Sequence, residues 1–170
     1  MKKLILVLSL YVSVVNAQNV NIPDANFKNA LLNHDTVIDT NDDDEISVEE
    51  AEAYTGQINV TNENISDLTG IEAFINIVTL SCSSNQLPSL DVSNNINLTS
   101  LNCRVNQLSS LDVSKNTALT EFFCGSNQLS SLDVSSNTSL FWLHCKENEN
   151  LTCIKVIDEN NIPSRFTRDR

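Results

Sequence analysis

Residues 101–121 read LNCRVNQLSSLDVSKNTALTE, and residues 122–142 read FFCGSNQLSSLDVSSNTSLFW. Residues 80–100, LSCSSNQLPSLDVSNNINLTS, are a third copy, and Leu143 opens a fourth, LHCKENENLTCIKVIDEN, that decays. The period is 21 residues. Self-similarity at a fixed period marks a solenoid, in which one unit buries its apolar stripe only against its neighbours.

Each period contains one motif twice. Leu98, Leu101, Cys103, Asn106 and Leu108 set a strand-and-asparagine pattern, and Leu108, Leu111, Val113, Asn116 and Leu119 repeat it. Alternation predicts that Leu101 and Cys103, like Leu111 and Val113, point inward from short strands, while each asparagine bonds backbone groups at a corner. The predicted fold is a mainly-β leucine-rich repeat solenoid whose coils carry two short parallel strands each, giving two sheets. Residues 57–79, QINVTNENISDLTGIEAFINIVT, supply a slightly longer first coil.

The chain has 170 residues, 41% of them hydrophobic, and a formal charge of −12. Such a surface repels phosphate backbones and anionic headgroups, which argues against nucleic acid and membrane partners and favours cations. Residues 1–17, MKKLILVLSLYVSVVNA, have the basic start, apolar stretch and small-residue end of a signal peptide. That apolar stretch is short of the roughly 20 residues that span a bilayer. The expected division is a signal peptide at 1–17, a helical cap at 18–56, a solenoid at 57–157 and an uncapped tail at 158–170.

Within the cap, IDTNDDDEISVEEAEAY fits a twelve-residue calcium loop starting at Asp39. Asp39, Asn41 and Asp43 fall at positions 1, 3 and 5, the Glu45 carbonyl at 7, Ser47 at 9 and Glu50 at 12, where a bidentate carboxylate is required. These are the candidate metal ligands. Position 6, normally glycine, is Asp44, which adopts the left-handed turn at a cost of about 1 kcal/mol. The plainer reading is a solvated acidic turn. Asp24 is placed to cap a helix carrying Phe27, Ala30 and Leu31, and SVEEAEAY reads as a second helix.

Cys82, Cys103, Cys124 and Cys145 share one repeat position. Equivalent side chains of parallel strands run side by side, which suits buried free thiols better than disulfides. Cys153 falls outside the ladder. The outward positions differ between the two expected faces. Ser89, Asp91 and Ser93 recur monotonously as a polar surface. The cysteine-strand face changes along the stack to Arg104, Glu121, Phe123, Trp142, His144 and Lys146, the mixture of flat apolar surface and charge found at binding hot spots. The alternative is that Phe123 and Trp142 cover the last coil.

These motifs resemble the nested leucine-rich repeats of secreted Gram-negative bacterial proteins, and ISDLTGIEAF resembles internalin-type repeats, over residues 22–157. The acidic segment is similar to the helical cap that precedes such repeats. The resemblance implies a binding scaffold more than a particular ligand. The expected function is a non-catalytic extracellular binding or adhesion module, monomeric, with a calcium-stabilised cap and a protein or glycan partner. The chain has two histidines, His34 and His144, and neither a nucleophile elbow nor a phosphate loop, which argues against an enzyme. The alternative is a structural spacer or truncated surface protein. Longer relatives continue into a sorting domain that has no counterpart in this sequence, so release or periplasmic residence is as compatible as surface attachment.

Overall fold

A computed structural model of the chain describes residues 18–157 and 165–167. The signal-peptide segment 1–17 lies outside them. Two short helices come first, α1 (Ala25–Leu32) and α2 (Val48–Ala53). The Asp24 carboxylate accepts from the Asn26 and Phe27 N–H groups at the start of α1, and its second oxygen accepts from Ser66 and Asp67 in the first coil. One residue therefore caps the helix and fastens the cap to the solenoid. Phe27 and Leu31 are fully buried beneath it.

The solenoid follows as β1 (Gln57–Asn59), β2 (Thr79–Ser81), β3 (Ser100–Asn102), β4 (Glu121–Phe123), β5 (Ser131–Asp133), β6 (Trp142–His144), β7 (Cys153–Lys155) and β8 (Arg165–Thr167). Among the described residues, β1, β2, β3, β4, β6 and β8 form one parallel sheet in that order. Ile58, Leu80, Leu101, Phe122 and Leu143 stand in register across it and are fully buried. Two residues on, Val60, Cys82, Cys103, Cys124 and Cys145 make a second buried column. The cysteines are free thiols. Burial pushes the Cys82 thiol up to about 12, and Cys103 and Cys124 are also raised well above the ordinary range.

Two asparagine ladders line the corners. In the first, Asn85, Asn106, Asn127 and Asn148 each donate to carbonyls of their own and the preceding coil, and their Oδ1 atoms accept from Ile65, Leu87, Leu108 and Leu129 N–H at 2.9–3.0 Å. In the second, Asn95, Asn116 and Asn137 donate to two carbonyls each, but their buried Oδ1 atoms have no hydrogen-bond partner among the described residues.

The second face departs from the expectation of two strands per coil. Among the described residues, regular pairing occurs there only between β5 and β7. At the preceding coils Asp91 and Asp112 accept the N–H of Ser93 and Ser114 at 2.9 and 2.8 Å, turning the backbone locally. The two carboxylates also repel each other, and like charges side by side oppose pairing. Asp133 accepts the Ser135 N–H in the same way at 2.9 Å and shares like-charge repulsion with Asp112, so what distinguishes its coil is Lys155, opposite at 2.8 Å, and there a ladder forms. The expected uncapped tail also differs: β8 returns to pair with β6, Trp142 opposite Arg165 and His144 opposite Thr167.

Candidate functional site

Two places carry the candidate residues. In the cap loop, Asp39 Oδ1 accepts from Asp42 and Asp43 N–H at 2.8 and 3.3 Å, and Oδ2 accepts from Asp44 N–H at 3.0 Å. Asn41 and Asp43 bond each other, and Asp43 Oδ1 accepts the Glu45 N–H. Asp42 and Asp44 are left-handed, with φ of 59° and 62°, so Asp44 adopts the conformation its loop position demands. Glu45 forms an ion pair with Lys28 at 2.6 Å.

Glu50 is the centre of this loop's bonding. Its Oε1 accepts from Thr40 N–H, Thr40 Oγ1 and Asn41 N–H at 2.7, 2.8 and 3.3 Å, and Oε2 accepts from Ser47 N–H and Ser47 Oγ at 2.9 Å. The Ser47 hydroxyl accepts in return from Glu50 N–H, completing a capping box on α2. Burial alone pushes this carboxyl up, but the donors on Ser47 and Thr40 outweigh it and hold it at about 2. With both oxygens so engaged, Glu50 as arranged serves the loop as a hydrogen-bond hub and offers no open bidentate face. Among the described residues, no group of three or more His, Cys, Asp or Glu side chains is disposed as a metal centre.

The six-stranded sheet holds the second set together on its outward face. Glu121 and Trp142 are opposite each other on β4 and β6, as are Phe123 and His144. The Phe123 and Trp142 rings meet edge to face, with centroids 5.2 Å apart and planes at 65°. Both are half-buried, as are Arg104, Glu121 and His144, while Lys146 is exposed. Burial, followed by the charge of Arg104, lowers the His144 pKa from its ordinary value. Along β1 to β3 the same face is small and polar, with the Thr61 hydroxyl 2.9 Å from that of Ser81.

One determinant was not singled out from the sequence. Gly125 lies between Arg104 and Lys146, and a Cβ there would meet His144 Nδ1 at 2.7 Å and the Lys146 carbonyl at 2.8 Å. The signal was available: Ser83, Arg104 and Lys146 occupy the equivalent repeat positions.

Neither a protein-family model nor a curated protein matches the chain. Solved structures do. The functional domain of InlJ from Listeria monocytogenes, which includes a cysteine ladder, is 33% identical, with a TM-score of 0.57 over 74% of this chain and 32% of its own. An internalin, inlF, from the same organism is 21% identical, with a TM-score of 0.62 over 82% of this chain and 46% of its own. The fold is the leucine-rich repeat solenoid of the internalins. This internalin-type solenoid spans less than half the length of either of those chains. No helix among the described residues is long and apolar enough to cross a membrane.

Proposed function

We propose that the chain is a non-catalytic extracellular binding module whose partner, a protein, seats on the outward face of β3, β4 and β6. The observation that carries this reading is the Phe123–Trp142 ring pair, 5.2 Å apart and half-exposed on a face that is polar and uncharged along β1 to β3 and turns aromatic and charged at β4 and β6. Aromatic residues are enriched where interfaces concentrate their energy, because they bring large contact area at low entropic cost. The internalin-type fold supports a binding role through its architecture. The extracellular part rests on the sequence of residues 1–17.

The cap enters the proposal as a calcium-stabilised end piece, with Asp39, Asn41, Asp43, Glu45, Ser47 and Glu50 as ligands. Support comes from their spacing and from the left-handed Asp44; the five donors on Glu50 are what an ion would have to displace in part. A calcium site that binds only the folded state raises stability by about 2.7 kcal/mol at a hundredfold excess over Kd. Identical melting curves in calcium and in chelator remove the ion from the account.

The binding reading is tested on arrays of extracellular proteins and glycans, probed with wild type, Trp142→Ala and Asp112→Ala. Loss of a protein signal with Trp142→Ala alone supports it. A glycan signal that follows the same pattern would reassign the partner class. A Trp142→Ala protein that keeps every signal but loses several kcal/mol of stability would make the tryptophan a lid on the last coil.

A further inference from the structure

Resting on that reading, the sheet face also suggests what chemistry its partner carries. Arg104, Gly125 and Lys146 stand in register on successive coils, since Val105 N–H donates to the Gly125 carbonyl at 3.0 Å and Ser126 N–H to that of Lys146 at 2.8 Å. Gly125 has no left-handed φ, so its backbone does not require glycine. Space does. The His144 imidazole leans over the strand to within 2.7 Å of where a Cβ would sit. Arg104 is close enough from the other side for its charge to act on His144.

Two nitrogens at this notch, Arg104 Nε and His144 Nδ1, are shielded from water and have no hydrogen-bond partner among the described residues. A buried polar nitrogen without a partner is costly and rare enough to call for an explanation. Of the carboxylates on this part of the face, Glu121 accepts from the Ser100 hydroxyl at 3.2 Å and Glu147 from that of Ser126, and the Glu147 charge acts on His144 from a distance. We propose that the Arg104–His144 pair is a carboxylate subsite: the imidazole that now fills the space over Gly125 swings outward to receive an Asp or Glu side chain of the partner protein between itself and Arg104, with Lys146 at the rim. Small side-chain shifts would turn both nitrogens toward the acceptor, His144 with its proton on Nδ1. The adjoining Phe123 and Trp142 rings favour a carboxylate that has an apolar neighbour in its own chain, which is why a protein segment suits the place better than a uronic acid. The overall charge of −12 repels acidic partners at long range, so recognition here is local and strongest where salt screens the rest of the molecule.

The experiment follows the Arg104 Nε–H and His144 ring resonances of the isotope-labelled protein during titration with N-acetyl-glutamyl-phenylalanine amide. The expected result is a saturable shift at a concentration at least tenfold lower than with the glutaminyl counterpart. Arg104→Gln should erase that difference with the rest of the spectrum unchanged, and so should Gly125→Ala, which displaces the imidazole. Equal responses to the two peptides, no response to either, or discrimination that survives Arg104→Gln would overturn the subsite while leaving the sheet-face reading to its own Trp142→Ala test. Tighter binding of digalacturonate than of the glutamyl peptide would overturn the protein source of the carboxylate.

Discussion

The two asparagine ladders look alike in sequence, yet the structure assigns them different energetic weights, and Asn127→Ala against Asn116→Ala measures the difference. Asn127 donates to the carbonyls of Cys103, Cys124 and Gly125 at 3.0, 3.1 and 3.3 Å and accepts from Leu108 N–H at 3.0 Å. Cys103 and Cys124 keep donors from Asn106 and Asn148 after its removal, but Leu108 N–H is orphaned in the core. At about 1 kcal/mol for each of the three donated hydrogen bonds and about 1–3 for the buried orphan, the loss is about 4–6 kcal/mol. Asn116 donates to Val92 and Asn95 carbonyls at 2.9 and 3.0 Å, both of which retain backbone donors, and its own Oδ1 is already orphaned. Deleting it forfeits about 2 kcal/mol and recovers roughly half of that, leaving about 1. The truncated volume is the same at both sites and cancels. Urea unfolding followed by fluorescence of Trp142, the one tryptophan, should show midpoints separated by more than about 1 M, given slopes of about 1–3 kcal/mol per molar. Equal losses, or a larger loss at Asn116, would refute the claim that acceptor satisfaction separates the ladders.

A thiol reagent should find one reactive cysteine, Cys153, in the folded protein and five after denaturation, because the other four are buried and the thiolates of Cys82, Cys103 and Cys124 are strongly disfavoured. Glu50, held at about 2 against an ordinary 4.5, contributes stability that is complete above pH 4.5 and lost as pH falls through 2. That contribution is on the order of 3 kcal/mol, so wild type should lose about that much more stability across this window than Glu50→Gln, whose remaining loss comes from other depressed carboxyls such as Asp24. Val105 is a β-branched residue at φ 55°, the turn position shared with Ser84, Ser126 and Glu147. Val105→Asn should therefore raise stability by about 1 kcal/mol in the same urea assay, and a loss would show the strain to be absent.

The solenoid was legible because its signal is redundant: each inward column repeats Leu, Cys, Leu and Val at a fixed spacing, so Leu80, Leu101 and Leu143 could be placed from periodicity alone. The second sheet was over-read for a physical reason. The pattern at Leu111 and Val113 marks burial, which the structure bears out, but burial alone does not make a strand: among the described residues regular pairing on that face occurs where Asp133 has Lys155 opposite it. Phe123 and Trp142 were placed on one face because alternation fixes direction; their 5.2 Å contact needed the register. The cap loop shows the limit of spacing arguments. Asp44 adopts the required backbone, yet Glu50 turns to Thr40 and Ser47, a choice set by helix capping that no ligand count contains. The Gly125 notch depends on a neighbouring strand's imidazole, so a single repeat read in isolation does not reveal it.

The claim that a protein partner seats on the aromatic end of the sheet is tested most directly by hydroxyl-radical footprinting of the protein alone and with a partner recovered from the arrays. Phe141 serves as the internal reference, being half-exposed beside Trp142 in sequence but outside the sheet. The account predicts that oxidation of Trp142 and Phe123 falls severalfold on binding while that of Phe141 is unchanged. Protection of Phe141 with Trp142 and Phe123 left as reactive as in the free protein would contradict it.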